Sequence, residues 1–208
     1  METLPLPRSP LPAPGPDDLR ILAAGTLVWR VYRAAGRHPV TWSTFRGFGP
    51  VATGRFDHQE PPPHDDPGRA ILYGALRAEA AIVESFQDAR LVDRLRDAPW
   101  LVGFALATEV VLLDLRGPWP TRAGASQAIA SGPRVRAQAW SRAIHAAMPA
   151  VDGLVYASAM AGSLANVALY ERARASLPAH PAVHVPLAHP GLEAALVRIA
   201  TRYGYGLR

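Results

Sequence analysis

DGLVYASAMAGSLANVALYERARA, residues 152–175, decides how the chain is read. Gly153–Tyr156 carries the apolar, β-favouring character of a strand. Ala157–Ser163 is a run of small residues that breaks it, and Leu164–Ala175 has the composition of a helix. The reading is therefore strand, turn, helix, with Ser158 at the strand end as a cap for the helix. No G-x-S-x-G elbow surrounds Ser158, and no histidine sits beside it in a recognisable motif. A covalent serine nucleophile of the hydrolase kind is not indicated.

Across the rest of the chain, strands and helices mix without the regular alternation of a doubly wound sheet, which makes the chain α+β. GTLVWRVYRA (25–34) alternates as a strand, with Trp29 and Val31 facing the core and Arg30 pointing the other way with Tyr32. AILY enters GALRAEAAIVESFQD, a helix by composition, with Leu76, Ala80, Val83 and Gln87 on one side. WLVGFALAT, EVVLLDLR and AVHVPLA read as further strands, and TRAGASQAIAS and RVRAQAWSRAIHAAM as helices. GLEAALVRIATRY closes the chain as a helix with Leu192, Leu196, Ile199 and Tyr203 on one face. Residues 43–69 form a long irregular stretch, a length that in a compact domain points to function or disorder.

Length 208 suits one domain, and 49% hydrophobic residues are enough for a sizeable core. Residues 1–19 are proline-rich and lack the basic start and apolar run of a secretory signal, so they read as a disordered leader before a domain over 20–208. No apolar run reaches the roughly 20 residues of a membrane span, and a cytoplasmic location is expected. Cysteine is absent, which excludes thiolate chemistry and cysteine-bound zinc. Lysine is absent too: the 22 basic residues are all arginine, so Schiff-base and P-loop lysine chemistry are excluded. Arginine suits phosphate, because its planar fork meets two oxygens at once. No dinucleotide fingerprint follows a strand, and His180, His184 and His189 read as ordinary loop and strand histidines. No metal site is expected from them. Five arginines between residues 115 and 151 (Arg116, Arg122, Arg134, Arg136, Arg142) stand without an acid and read as a solvated face. No direct nucleic-acid contact is expected, since no aromatic RNA motif accompanies them.

Four segments remain: VWRVY around Arg30, TGRFD around Arg55, ILYGALRAEAAIVESF with Tyr73 and Glu84, and DGLVYASAMAGSLANVALY with Tyr156, Ser158 and Asn166. Their order and spacing resemble the RES-domain family, named for its Arg, Glu and Ser, over about residues 25–188. Ala157 stands where members often carry proline, and Ala159–Met160 where an arginine is common. The resemblance implies a mixed, curved β-sheet flanked by helices, like the ADP-ribosyltransferase fold. It implies an enzyme that degrades NAD+ as a substrate by hydrolysis or phosphorolysis, with inorganic phosphate the co-substrate in the second case and no prosthetic group. It also implies the toxin of a toxin–antitoxin pair, whose partner is an antitoxin with a DNA-binding domain. Self-association stays open. On this reading Arg30, Glu84 and Ser158 are catalytic, and Arg30, Arg55, Tyr73, Tyr156 and Asn166 bind the dinucleotide. Transfer of ADP-ribose to a protein, or a non-catalytic module that binds NAD+ or a partner, are the alternatives.

Overall fold

Residues 4–208 are described by a computed structural model. The chain lays down β1 (Leu19–Leu22), β2 (Leu27–Arg33), a short hairpin of β3 (Phe48–Gly49) and β4 (His64–Asp65), then β5 (Ile71–Ala75) and α1 (Ala78–Ser85). β6 (Leu91–Val92), β7 (Pro99–Ala105) and β8 (Val110–Asp114) follow, then α2 (Trp119–Arg122), α3 (Ala128–Ser131) and α4 (Arg134–Ala147). The last part is β9 (Gly153–Ala157), β10 (Ala165–Tyr170), β11 (Val183–Pro186), α5 (Glu193–Tyr203) and β12 (Gly206–Leu207). Eight strands form one sheet in the order β1-β8-β9-β10-β5-β2-β7-β11. Within that sheet every pairing is antiparallel except β8 with β9, which is parallel. A parallel pair needs a crossover, and α2–α4 supply it. The architecture is the mixed sheet flanked by helices that the sequence implied.

The helix expected over Leu164–Ala175 is instead β10 followed by a short 3-10 turn over Glu171–Ser176. The cause is burial on both faces. Ala168 and Tyr170 join the core beneath α2–α4, with Trp119, Trp140 and Leu154. Val167 and Leu169 join the opposite core, with Val28, Leu72 and Phe104. A strand covered on both sides has no polar alternation to reveal it. TRAGASQAIAS likewise does not form one helix, but parts of the two short ones, α2 and α3.

The other strong periodicities hold. Leu196 is buried in α5, and Leu192, Ile199 and Tyr203 pack beside it against α1 and the sheet. Trp29 and Val31 pack toward this same cluster, while Val28 and Tyr32 sit on the opposite face.

Residues 4–18 do not behave as the disordered leader read from their composition. Leu4 is 1% exposed, Trp140 Nε1 donates to the Pro5 carbonyl at 2.8 Å, and Trp119 Nε1 donates to the Pro12 carbonyl at 3.2 Å. Asp18 is buried and pairs with Arg122. Proline-rich composition signals a chain that forms no regular element, and two buried indoles give this one a place to lie. Residues 1–3 of the leader lie outside the described residues. Among the described residues no helix is long and apolar enough to cross a membrane.

Candidate active site

β5 and β2 are joined by one paired position, Trp29 with Ala75, so the sheet opens at that seam. Gly74 lies on the seam, where an added Cβ would sit 2.7 Å from Val28 Cγ1 and 3.0 Å from the Trp29 carbonyl. A cleft of about 570 Å³ runs along the opening, within the size range of small-molecule sites. Its walls come from β2, β5, α1, β9, β10, the start of α4 and the irregular stretch 43–69.

Glu84, near the end of α1, is the centre of one wall. Its Oε1 accepts from Ser158 Oγ at 2.5 Å and from Asn166 Nδ2 at 2.9 Å. Ser158 Oγ in turn accepts from the amides of Ala161 (2.8 Å) and Met160 (3.2 Å). Those two bonds have the form of a helix cap, as the sequence suggested, but they close a tight turn with no helix after it. Gly162, at φ +61°, completes the reversal. The small residues after Ser158 thus serve a hairpin that brings Asn166 level with Tyr156. Donating its proton to Glu84 and accepting from two amides, the Ser158 hydroxyl ties the Glu84 carboxylate to the turn. Asn166 is 2% exposed, and its Oδ1 has no hydrogen-bond partner among the described residues.

Arg30 lies on β2 at the cleft, with Nη1 donating to the carbonyls of Trp42 and Thr44, each at 3.0 Å. Burial lowers its pKa to about 10, with Arg46 adding to the fall and Tyr32 opposing it. It still carries its charge at neutral pH. Arg55 donates to the Gly132 carbonyl at 2.7 Å, just before α4. Its pKa is lowered by burial and then by Arg134; Tyr156, Glu84 and Tyr73 pull the other way.

Tyr73 lines the cleft. Its hydroxyl accepts from the Phe56 amide and donates to Asp57 Oδ1, both at 2.8 Å, so it is spent on the loop that carries Arg55. Burial pushes its pKa well above the ordinary value, with the Asp57 charge adding. Tyr156 is buried against Phe56, with ring centroids 4.6 Å apart, and its hydroxyl pKa is also raised by burial.

Two contributors, Arg46 and Asp57, go unnamed in the sequence analysis, and a third, Arg134, is read there as part of a solvated face but lines the cleft. Arg46 donates to Asp57 Oδ1 at 2.6 Å and lines the cleft. Asp57 is fully buried and also accepts from the Val51 amide at 2.8 Å. Arg134 opens α4 on the cleft. Asp57 sat in view inside GRFD, where the glycine is explained as well: a Cβ on Gly54 would fall 2.0 Å from the Asp57 carboxylate. Gln138 and Ser141 of α4 donate to the carbonyls of Val51, Gly54 and Phe56, fixing the stretch from within. In all, five arginines (Arg30, Arg33, Arg46, Arg55, Arg134) and two carboxylates (Glu84, Asp88) line the cleft, which favours an anionic ligand.

The remaining arginines of the 115–151 run are partly neutralised at a distance. Arg116 pairs with Asp114, Arg122 with Asp18 and Arg142 with Glu60. His184 meets the Tyr32 hydroxyl at 2.6 Å, and His189 accepts from the Gly191 amide at 3.0 Å. His58, His145 and Glu171 hold ligand-type atoms within 4.8 Å of one another, away from the cleft lining.

A mixed sheet split over an arginine-lined cleft, with one glutamate held by a serine and an asparagine, defines the class of site. Residues 27–190 match the RES domain, and the chain belongs to that family. Among solved structures, the crystal structure of the M. tuberculosis MbcT–MbcA toxin–antitoxin complex shares the fold. The TM-score is 0.57 at 20% identity, over 85% of this chain and 91% of that one. A search of the curated proteins finds no match.

Proposed function

We propose that this chain cleaves the bond between nicotinamide and ribose in NAD+. The observation that carries the reading is Glu84, a carboxylate oriented by Ser158 and Asn166 on the wall of a cationic cleft. Breaking that bond builds positive charge on the ribose, as in glycoside cleavage. A fixed carboxylate stabilises such charge without reorganising as the charge develops. Nicotinamide leaves as a neutral molecule, so the reaction asks for no general acid and one carboxylate suffices. The guanidiniums of Arg30, Arg55 and Arg134 supply the complement to a diphosphate. Tyr156 gives the cleft an aromatic wall.

Family membership supports an enzymatic toxin role, and the likeness to a toxin–antitoxin complex supports an antitoxin as partner. The acceptor is water or inorganic phosphate. Purified protein incubated with NAD+ is expected to release nicotinamide, and parallel reactions with and without phosphate identify the acceptor. Adenine-labelled NAD+ follows the other half of the molecule. Label found on protein would favour ADP-ribosyl transfer, and an unchanged NAD+ pool would remove the proposal.

A further inference from the structure

Behind the cleft, Glu171 is gripped by two imidazoles. His58 Nε2 donates to Oε2 at 3.0 Å, and His145 Nε2 donates to Oε1 at 2.8 Å. The three residues come from distant parts of the chain: the 43–69 stretch, α4, and the turn after β10. His58 is fully buried, while His145 and Glu171 side chains are 12% and 19% exposed. The rings of His58 and His145 stack with centroids 4.4 Å apart, and Tyr170 packs against both. Arg172 Nε lies 3.8 Å from Glu171 Oε1, and Arg69 donates to the His58 carbonyl at 2.9 Å.

His58 directly follows Asp57, whose carboxylate holds Arg46, Tyr73 and the Val51 amide. Fixing His58 therefore fixes the backbone that presents both Asp57 and Arg55. We infer that Glu171 is a positioning residue for the cleft, acting through His58 and His145 to clamp the Arg55–His58 segment onto α4 and β10. The inference gives the proposed NAD+ site a supporting layer, and so its effect on turnover rests on that reading.

A zinc-class ion fits the same three side chains less well. Both imidazoles already use the nitrogen that faces the carboxylate as a donor, and Nδ1 of His58 has no partner among the described residues to fix the other tautomer. The nearby Arg172 charge also opposes a cation.

The test compares wild type, Glu171→Ala and Glu171→Gln by amide hydrogen exchange with mass spectrometry and by nicotinamide release. Glutamine still accepts from one imidazole and donates to the other once that ring carries its proton on Nδ1, so it serves as the rescue. Glu171→Ala is expected to raise exchange roughly 10- to 100-fold in residues 54–59, with β7 and β8 unchanged and turnover reduced; Glu171→Gln is expected to restore most of both. Exchange in 54–59 equal to wild type in the alanine variant would overturn the inference. So would a uniform rise across all segments, or a fall in wild-type protection after treatment with a chelator, which would mark a metal. Exchange reads the clamp even if wild type releases no nicotinamide, an outcome that would count against the proposed function alone.

Discussion

At Asp57 one fully buried carboxylate meets the Arg46 guanidinium, the Tyr73 hydroxyl and the Val51 amide. Removing one partner of a buried pair leaves the others unsatisfied and is more damaging than replacing the whole set. Asp57→Ala is accordingly expected to destabilise the fold by about 3 kcal/mol. Urea unfolding measures it, and a loss below about 1 kcal/mol would show that the network holds little. Motif order drew attention to Arg30, Glu84 and Ser158 in the sequence, and the structure brings Glu84 and Ser158 into direct contact. Arg46 and Asp57 were not paired in that reading, because nothing in an irregular stretch says that positions eleven apart fold back to meet. The spent hydroxyl of Tyr73 was equally invisible, since its partners lie on that same stretch.

Elements whose periodicity survives burial, such as β2 and α5, were legible; β10 was not. Its two faces each meet a core, so ANVALY shows no polar–apolar alternation, and its alanines and leucine favour a helix by composition. The leader failed for a different reason. Composition describes what a segment can form alone, and the indoles of Trp119 and Trp140 that hold it are over a hundred residues away. The β2–β5 seam is also an element-scale feature, and it makes its own prediction. Gly74→Ala places a methyl against Val28 and the Trp29 carbonyl. It is expected to reduce stability by about 1–3 kcal/mol and to shift the strands that border the cleft. Thermal unfolding tests the first part, and a wild-type melting temperature would mean that the seam tolerates widening.

Over the whole molecule, charge and burial set a dependence on pH. Burial, foremost, holds the His58 pKa below its ordinary value of 6.5 despite the Glu171 bond. A histidine that protonates less readily when folded contributes its stability above the unfolded value and loses it as the pH falls below that value. Hydrogen bonds from His145 and His58 outweigh burial at Glu171 and hold its carboxyl well below the usual carboxylate range. Its contribution is present above that range and is lost only at much lower pH. The melting temperature is therefore expected to decline as the pH is lowered from about 7.5 to about 5, because the unfolded His58 takes up a proton that the folded one refuses. A flat profile across that interval would contradict the buried, neutral assignment of His58.

On the proposed function the Glu84 carboxylate stabilises the charge that develops on the ribose, and a variant that keeps its shape but loses its charge tests that role. Nicotinamide release from NAD+ is measured for wild type and for Glu84→Gln, whose amide oxygen can still accept from Ser158 and Asn166. Wild type is expected to release nicotinamide, and the variant to do so roughly a hundredfold or more slowly with the melting temperature preserved. Equal release by the two proteins, or none by wild type, would contradict that role.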